Sequence, residues 1–320
     1  MVRQIRESDW NSRTRRKDKA MEGKVENKLT ENENLKEVRK ELAKEQRQLR
    51  IRKFYKNRLA VIGTVITVVM ALLALLAPVL CPEGPYALDV VSRLKAPSLK
   101  HIFGTDTFGR DLFARCVYGA RVSMGVGLSV AGISLIAGMV IGLYASYYKS
   151  LDNVLMRICD GLKAMPAILL AIALMAVMGA STKNVIISLA IVYTPDIARI
   201  TRSAALSVKQ QTYIEAMRAL GAGSNRIIWT HIAPNVLSPV IVQASFIFAS
   251  AIVTEAALSF LGCGVPVPAP SWGNILQEGK TVIYNSWWMI AFPGAMTALS
   301  VLGLNLLGDG IRDVMDPMSN

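Results

Sequence analysis

Apolar residues along this chain gather in long blocks instead of alternating. Six blocks approach the about 20 residues that a helix needs to cross a bilayer: 59–80, 122–147, 162–178, 185–206, 236–261 and 287–307. Pro166 sits near the start of the third, and Pro195 lies inside the fourth. Runs of this length without turn residues are too long for buried strands. The pattern predicts an all-α integral membrane protein with six transmembrane helices. The region before the first block is polar and charged. There Leu35, Val38, Leu42 and Leu49 recur at helical spacing, behind a Thr30/Glu33 capping box. One helix is predicted from about Thr30 into the first span, with residues 1–20 disordered. Its cations suit a solvated helix that touches anionic lipid. A short coiled coil is the alternative.

Composition sharpens this. The 320 residues are 52% hydrophobic and only 18% charged, with mean hydropathy +0.37. Soluble chains carry roughly 25% charged residues, so an ordinary soluble enzyme, a disulfide scaffold and a disordered chain are excluded. Residues 1–58 hold 19 Lys+Arg against 10 Asp+Glu, and residues 59–320 hold 17 against 13. Placing the N-terminus inside puts 28 cations on the inner side and 8 on the outer, which favours N-in and C-in. The chain then divides into a basic cytoplasmic tail (1–58), a first span (59–80), an extracytoplasmic segment (81–121) and a five-helix core (122–320), with an inner loop at 207–235. The segment 81–121 is mildly basic yet assigned outside.

Candidate chemistry is sparse. Cys81, Cys116, Cys159 and Cys263 form no C-x-x-C pair, and His101 and His231 are the only histidines, so no metal centre is expected. Whether Cys81, Cys116 and Cys263 stay free is left open. No signal peptide is expected, because the first apolar run follows a long charged tail. Gly279-Lys280-Thr281 imitates a phosphate loop, but Gly273 is one residue too far upstream. Gly221-Ala222-Gly223 starts a dinucleotide fingerprint and lacks its third glycine. Neither HExxH nor GxSxG occurs, and no nucleic-acid motif accompanies the basic charge. The chain is expected to catalyse nothing itself.

The loop 207–235 is more informative. Thr212 and Glu215 read as a capping box that starts a helix. Gly221 suits the left-handed residue that ends it, Ser224 can cap a second short helix, and Pro234 marks entry to the fifth span. Two short helices on a glycine joint, continuous with two spans, suit transmission of force from a soluble partner. A plain connector, with Glu215 merely capping, fits the pattern equally.

Glu215-Ala216-Met217, then Gly221, then Pro234 thirteen residues later resembles the EAA loop of ABC-importer permeases. Met217, His231 and Ala233 depart from that pattern. His101-Ile-Phe-Gly104-Thr-Asp106, Gly109-Arg110-Asp111, Glu255-Ala-Ala-Leu-Ser259, Ser271-Trp272-Gly273 and Asn305-Leu-Leu-Gly308-Asp309-Gly310 resemble the dipeptide/oligopeptide (nickel) permease C group. The likeness runs from about Phe54 to Pro317 and leaves the tail uncovered. It implies a type I ABC-importer transmembrane domain in a bacterial or archaeal cytoplasmic membrane, with membrane lipid around it. The implied partners are a homologous second permease, two cytoplasmic ATPases that bind ATP and Mg, and an extracytoplasmic binding protein. No cofactor is implied in this chain. Short peptides are the implied cargo, with nickel chelates or other small solutes as alternatives. Glu215 would pin the loop to an ATPase, Gly221 would set the angle of its helices, and the second helix, with Arg226 and Trp229, would couple.

An ion-gradient-driven secondary transporter is the rival class. It calls for mid-membrane ionisable residues and inverted halves, whereas only Asp196 and Glu255 are found and no repeat. A scaffold or receptor would not need a glycine-jointed loop. Asp196 is expected to pair locally with Arg199. Glu255 faces either the pathway or a neighbouring helix. Asp160 is expected at the N-terminal end of the third span, Gly138 and Gly142 in close helix packing, and Trp287 and Trp288 in an interfacial belt. The outer segments 81–121 and 263–286, carrying Trp272 and Tyr284, are expected to meet the binding protein, with Cys116 accessible there.

Overall fold

The computed structural model describes residues 57–315 continuously and, before them, residues 38, 41, 42, 44, 45, 48, 49 and 51–56, all helical. The expectations for residues 1–20 and for the Thr30 capping box lie outside the described residues. The unit from Asn57 onward is built of helices, with the segment 81–111 mostly turns and loop; a lone bridge between Thr105 and Asp111 is its one β feature among the described residues.

Five stretches are long and apolar enough to cross a membrane: α1 Arg58–Leu80, α2 Leu112–Tyr147, α5 Thr182–Lys209, the run Ser224–Phe260, and α9 Trp288–Met315. The predicted third span differs. It is split into α3 Lys149–Lys163 and α4 Ala167–Met178, which meet at 94°. The 12 residues of α4 rise about 18 Å, short of the about 30 Å hydrocarbon core. A sixth crossing exists only if the bent pair is taken as one span. Pro166 explains the break, because it pushes Met165 out of the helical region. Asp152, Asn153, Arg157 and Asp160 form one polar face of α3, opposite Leu151, Leu155, Ile158 and Leu162, so α3 is amphipathic and not apolar all round. Asp160 therefore lies in the last turns of α3, not at the start of a span.

The second span begins at Leu112, earlier than the apolar run at 122 suggests, because Asp111 caps it by accepting from the Ala114 N–H at 2.9 Å. The resulting 36-residue helix is the spine of the molecule. Its Leu112 and Cys116 join an apolar cluster with Trp272 and Trp288. Val126 and Val130 join a central cluster with Leu189 and Ile247, and Leu143 joins a third with Ile214 and Ile228. The close packing expected at Gly138 and Gly142 is present. A side chain at Gly138 would meet Ile197 at 2.5 Å, and one at Gly142 would meet the Ala198 carbonyl at 2.5 Å.

At the end bearing segment 81–111, charges are buried together. The Asp106 carboxylate, fully buried, accepts from Arg110 Nε (2.6 Å) and Arg115 Nη1 (2.7 Å). Glu278 of α8 (Trp272–Lys280) accepts from Arg110 Nη2 (2.8 Å) and Arg115 Nη2 (2.9 Å). These bonds tie the segment to α8. Three expectations are corrected here. Trp272 is buried at the head of α8 and donates to the Cys116 carbonyl at 3.0 Å. Cys116 is itself buried, so it offers no accessible thiol. Trp288 is buried and donates to the Thr105 carbonyl at 3.1 Å, leaving Trp287 alone exposed.

Candidate functional site

The loop between α5 and α7 (Ala233–Phe260) is built on one short helix, α6 Thr212–Ala219. Its cap differs from the sequence reading. Gln211 is the N-cap and Thr212 is the first helical residue, with no side-chain cap bond. Glu215 is consequently not spent on capping; it is exposed and has no partner among the described residues. The helix ends as expected. Gly221 takes φ +79°, its N–H donates to the Arg218 carbonyl (2.9 Å), and the Ala222 N–H donates to the Met217 carbonyl (3.0 Å). This pair of bonds is a Schellman turn, which needs a left-handed residue at the glycine position.

Beyond the glycine the structure departs from a second separate helix. Gly223, not Ser224, is the N-cap of Ser224–Arg226. That turn runs into a π-helical stretch, Ile227–Ile232, and then directly into α7. The Ala233 N–H reaches the Ile228 carbonyl, five residues back. Pro234 accounts for the widening: it has no N–H for the Thr230 carbonyl and its ring crowds that oxygen. Arg226 and Trp229 thus stand on an extension of α7.

The loop is seated firmly. Ile214 is fully buried against Leu143, Ala205, Ile227, Ile228 and Ile232. Lys209 Nζ donates to the carbonyls of Ser146 (2.8 Å) and Tyr147 (3.1 Å), satisfying the free acceptors at the C-terminus of α2. The Arg218 guanidinium lies 5.1 Å from the Tyr147 ring centroid. Trp229 Nε1 donates to the Tyr144 hydroxyl at 3.4 Å, and that hydroxyl donates to Asn225 Oδ1 at 3.3 Å. Against this anchored side, Glu215, Ala216, Gly221, Arg226, Trp229 and Pro234 are all exposed, and Leu220 is 82% exposed. The six expected coupling residues therefore share one loop and reach solvent. Sequence reasoning missed Leu220 and the Tyr144/Tyr147 platform; the cluster Tyr144, Tyr147 and Tyr148 at the end of an apolar helix was the available signal.

The charged residues inside the spans are brought to partners. Asp196 bonds Lys163 Nζ at 2.9 Å rather than Arg199. Arg199 instead pairs with Asp160 (2.7 Å) and Arg202 with Asp152 (2.5 Å). The three pairs form a ladder between α3 and α5. A local i,i+3 pair was the wrong expectation because α3 lies beside α5 and supplies opposite charges across the gap. Glu255 is fully buried and accepts from Ser123 (2.8 Å) and Ser259 (2.7 Å). Its bond to Ser123 links α7 to α2. Among the described residues no group of three His, Cys, Asp or Glu is placed to hold a metal.

A family model described as the binding-protein-dependent transport system inner membrane component matches residues 134–318, more than half of the chain. The chain belongs to this family. A second model, the N-terminal TM domain of oligopeptide transport permease C, matches residues 46–97 of the permease. The dipeptide transport system permease protein of Alkalihalophilus pseudofirmus is 44% identical over 263 residues, covering 82% of this chain and 86% of the relative. The oligopeptide transport system permease protein of Bacillus subtilis is 36% identical over 266 residues, covering 83% and 87%. The inward-facing MetNI methionine ABC transporter aligns with a TM-score of 0.54 at 19% identity, over 63% of this chain and 97% of that one. That likeness fixes the fold as the transmembrane part of a type I ABC importer. The permease is a multi-pass inner-membrane transport component, and family membership sets aside the ion-gradient reading.

Proposed function

We propose that this permease forms one half of the path for short peptides in an ATP-driven importer. Its relatives named for peptide transport support the cargo. A homologous permease supplies the other half, two ATPases sit below, and a binding protein delivers cargo from outside. Residues 1–58 and the loop 207–235 face the cytoplasm; 81–111 and 261–287 face out. The tail before the first span is a membrane-surface anchor. The observation that carries the coupling role is the loop itself: a short helix buried by Ile214 on one side and bare at Glu215 and Leu220 on the other. In this reading Glu215 and Ala216 meet the ATPase, Gly221 sets the exit angle, and Arg226 and Trp229 pass the movement straight into α7 through Pro234. ATP and Mg belong to the partners.

The test is uptake by proteoliposomes that contain the permease with its partner permease, ATPases and binding protein. Labelled di- or tripeptide uptake is expected to require ATP, to stop with vanadate and to ignore ionophores. Uptake that survives vanadate but collapses with an ionophore sinks the mechanism. ATP-driven uptake of a nickel chelate, with none of peptide, corrects the cargo alone.

A further inference from the structure

One cavity holds polar groups that the fold leaves unused. It is a half-open groove of about 420 Å³ between α5, α7 and α9, with the half-buried Ser238 and Gln243 and the exposed Arg312 among apolar walls from Ile200, Val242 and Phe246. This is within the roughly 300–1,000 Å³ of small-ligand sites. Gln243 lies within the apolar run of α7, yet its side-chain amide has no hydrogen-bond partner among the described residues. Ser238 and Arg312 likewise have none. The neighbouring Asp313 carboxylate instead accepts from Asn57 Nδ2 at 2.7 Å. Asp196 and Glu255, deeper in the spans, do have partners. A polar group within a membrane span, such as Gln243, is costly and commonly marks a transported ligand's path, while Arg312 stands at the exposed C-terminal end of α9.

The donor set has a direction. A guanidinium offers a planar fork that fits a carboxylate. The Gln243 amide and the Ser238 hydroxyl, one to two turns apart on α7, both donate and accept. Together they match the end of a peptide: a terminal carboxylate on Arg312, and the last amide group on Gln243 and Ser238. The apolar walls would take a side chain. The cavity also lies in the half of the membrane that carries the loop, since Ser238 follows the loop by about one turn of α7. Val236, beside it, is buried in the same cluster as Ile214. A shift of the loop therefore moves this wall.

We propose that this cavity is a station for the C-terminal carboxylate of the cargo on the inner half of the path, with Arg312 as its anion contact and Gln243 and Ser238 as its amide contacts. The proposal rests on the peptide-import reading and names the part of the cargo that is recognised.

The experiment uses the complete importer in nanodiscs, without nucleotide and without the binding protein. Trialanine and trialanine C-terminal amide are the probes, followed by saturation-transfer NMR. Trialanine is expected to bind about tenfold more tightly than its amide, the loss of one charge-assisted contact. Arg312→Gln should abolish that preference. Gln243→Leu should weaken both ligands alike. Arg312→Lys should keep a preference for the carboxylate, and it serves if Arg312→Gln fails to reach the membrane. Equal binding of both probes to the native importer, or a preference that survives in Arg312→Gln, overturns the site. So does loss of a co-purifying anionic phospholipid in Arg312→Gln when no trialanine binding is seen, because the cation then serves a lipid phosphate. Uptake by the native importer is measured alongside: trialanine bound but never imported counts against peptide import, whereas import without the carboxylate preference counts against the station alone.

Discussion

The Ser123 hydroxyl donates to the Glu255 carboxylate across 2.8 Å, and both side chains are fully buried. The bond joins α2 to α7, and the same hydroxyl oxygen accepts from the Trp272 N–H at 3.3 Å. Glu255→Ala would leave both serine hydroxyls short of an acceptor. Each such buried group costs about 1–3 kcal/mol. A fall in the unfolding temperature of the detergent-purified permease is expected, with a smaller fall for Glu255→Gln, which keeps an acceptor oxygen. Unchanged stability with altered peptide selectivity would return Glu255 to the pathway.

Gly221→Val tests the joint. A Cβ there meets nothing within 4 Å, so the penalty is the positive φ alone, on the order of 1–2 kcal/mol. Normal membrane abundance is expected, with reduced retention of the ATPases and little uptake. Gly142 makes a poor control because a side chain there meets Ala198. Gly132 has open space around it and ordinary helical backbone, so Gly132→Ala should leave retention and uptake alone. Co-purification of the ATPases at native levels with native uptake in Gly221→Val removes the coupling role.

Reversal of the Asp152–Arg202 pair tests the ladder. Arg202→Asp places two carboxylates together and should lower stability. Adding Asp152→Arg should restore most of it. The side chains are 22% and 34% exposed, so a coupling of about 1 kcal/mol is expected. Additive losses in the double-mutant cycle would mean that the two residues do not act as a pair.

At the other end, Glu278→Ala removes one of the two carboxylates that neutralise Arg110 and Arg115. Breaking a buried pair costs about 3–5 kcal/mol. Asp106 still contacts both guanidiniums, so a value toward the lower limit is expected, seen as reduced membrane abundance or a lower unfolding temperature. No change in either would show that the pairing contributes nothing.

Sidedness is best read at Cys263, which is half-buried while Cys81, Cys116 and Cys159 are buried. A membrane-impermeant maleimide should modify Cys263 in right-side-out vesicles, and Cys263→Ser should abolish the signal. Labelling confined to inside-out vesicles reverses the proposed topology.

Much of this was legible in the sequence because lipid is a demanding solvent. Every backbone polar group must be satisfied within the span, so long apolar blocks can only be helices. Gly221 was legible because few residues tolerate a left-handed turn. The helix starts at 212 and 224 were misplaced by one residue, since Thr212 and Ser224 suit a first turn as well as a cap. The bend at Pro166 was hidden inside a window that averages hydropathy on both sides of it. Partners far apart in sequence were not legible. Arg115 and Glu278 are separated by 163 positions, and nothing local in either marks the other. Their meeting brings one countercharge from outside to the basic segment 81–121, because Arg110 and Arg115 share Glu278 besides the segment's own Asp106.

The π-helical stretch Ile227–Ile232 sets an angular phase between the loop and α7. An i→i+5 turn holds one residue more than a regular turn, and one residue is about 100° of rotation about a helix axis. Deleting a single residue there together with Pro234→Ala should let an ordinary helix run through, with loop and span each still folded. Arg226 and Trp229 would then swing by that angle while α7 stayed in place. The permease would keep every part and present its partner with the wrong side.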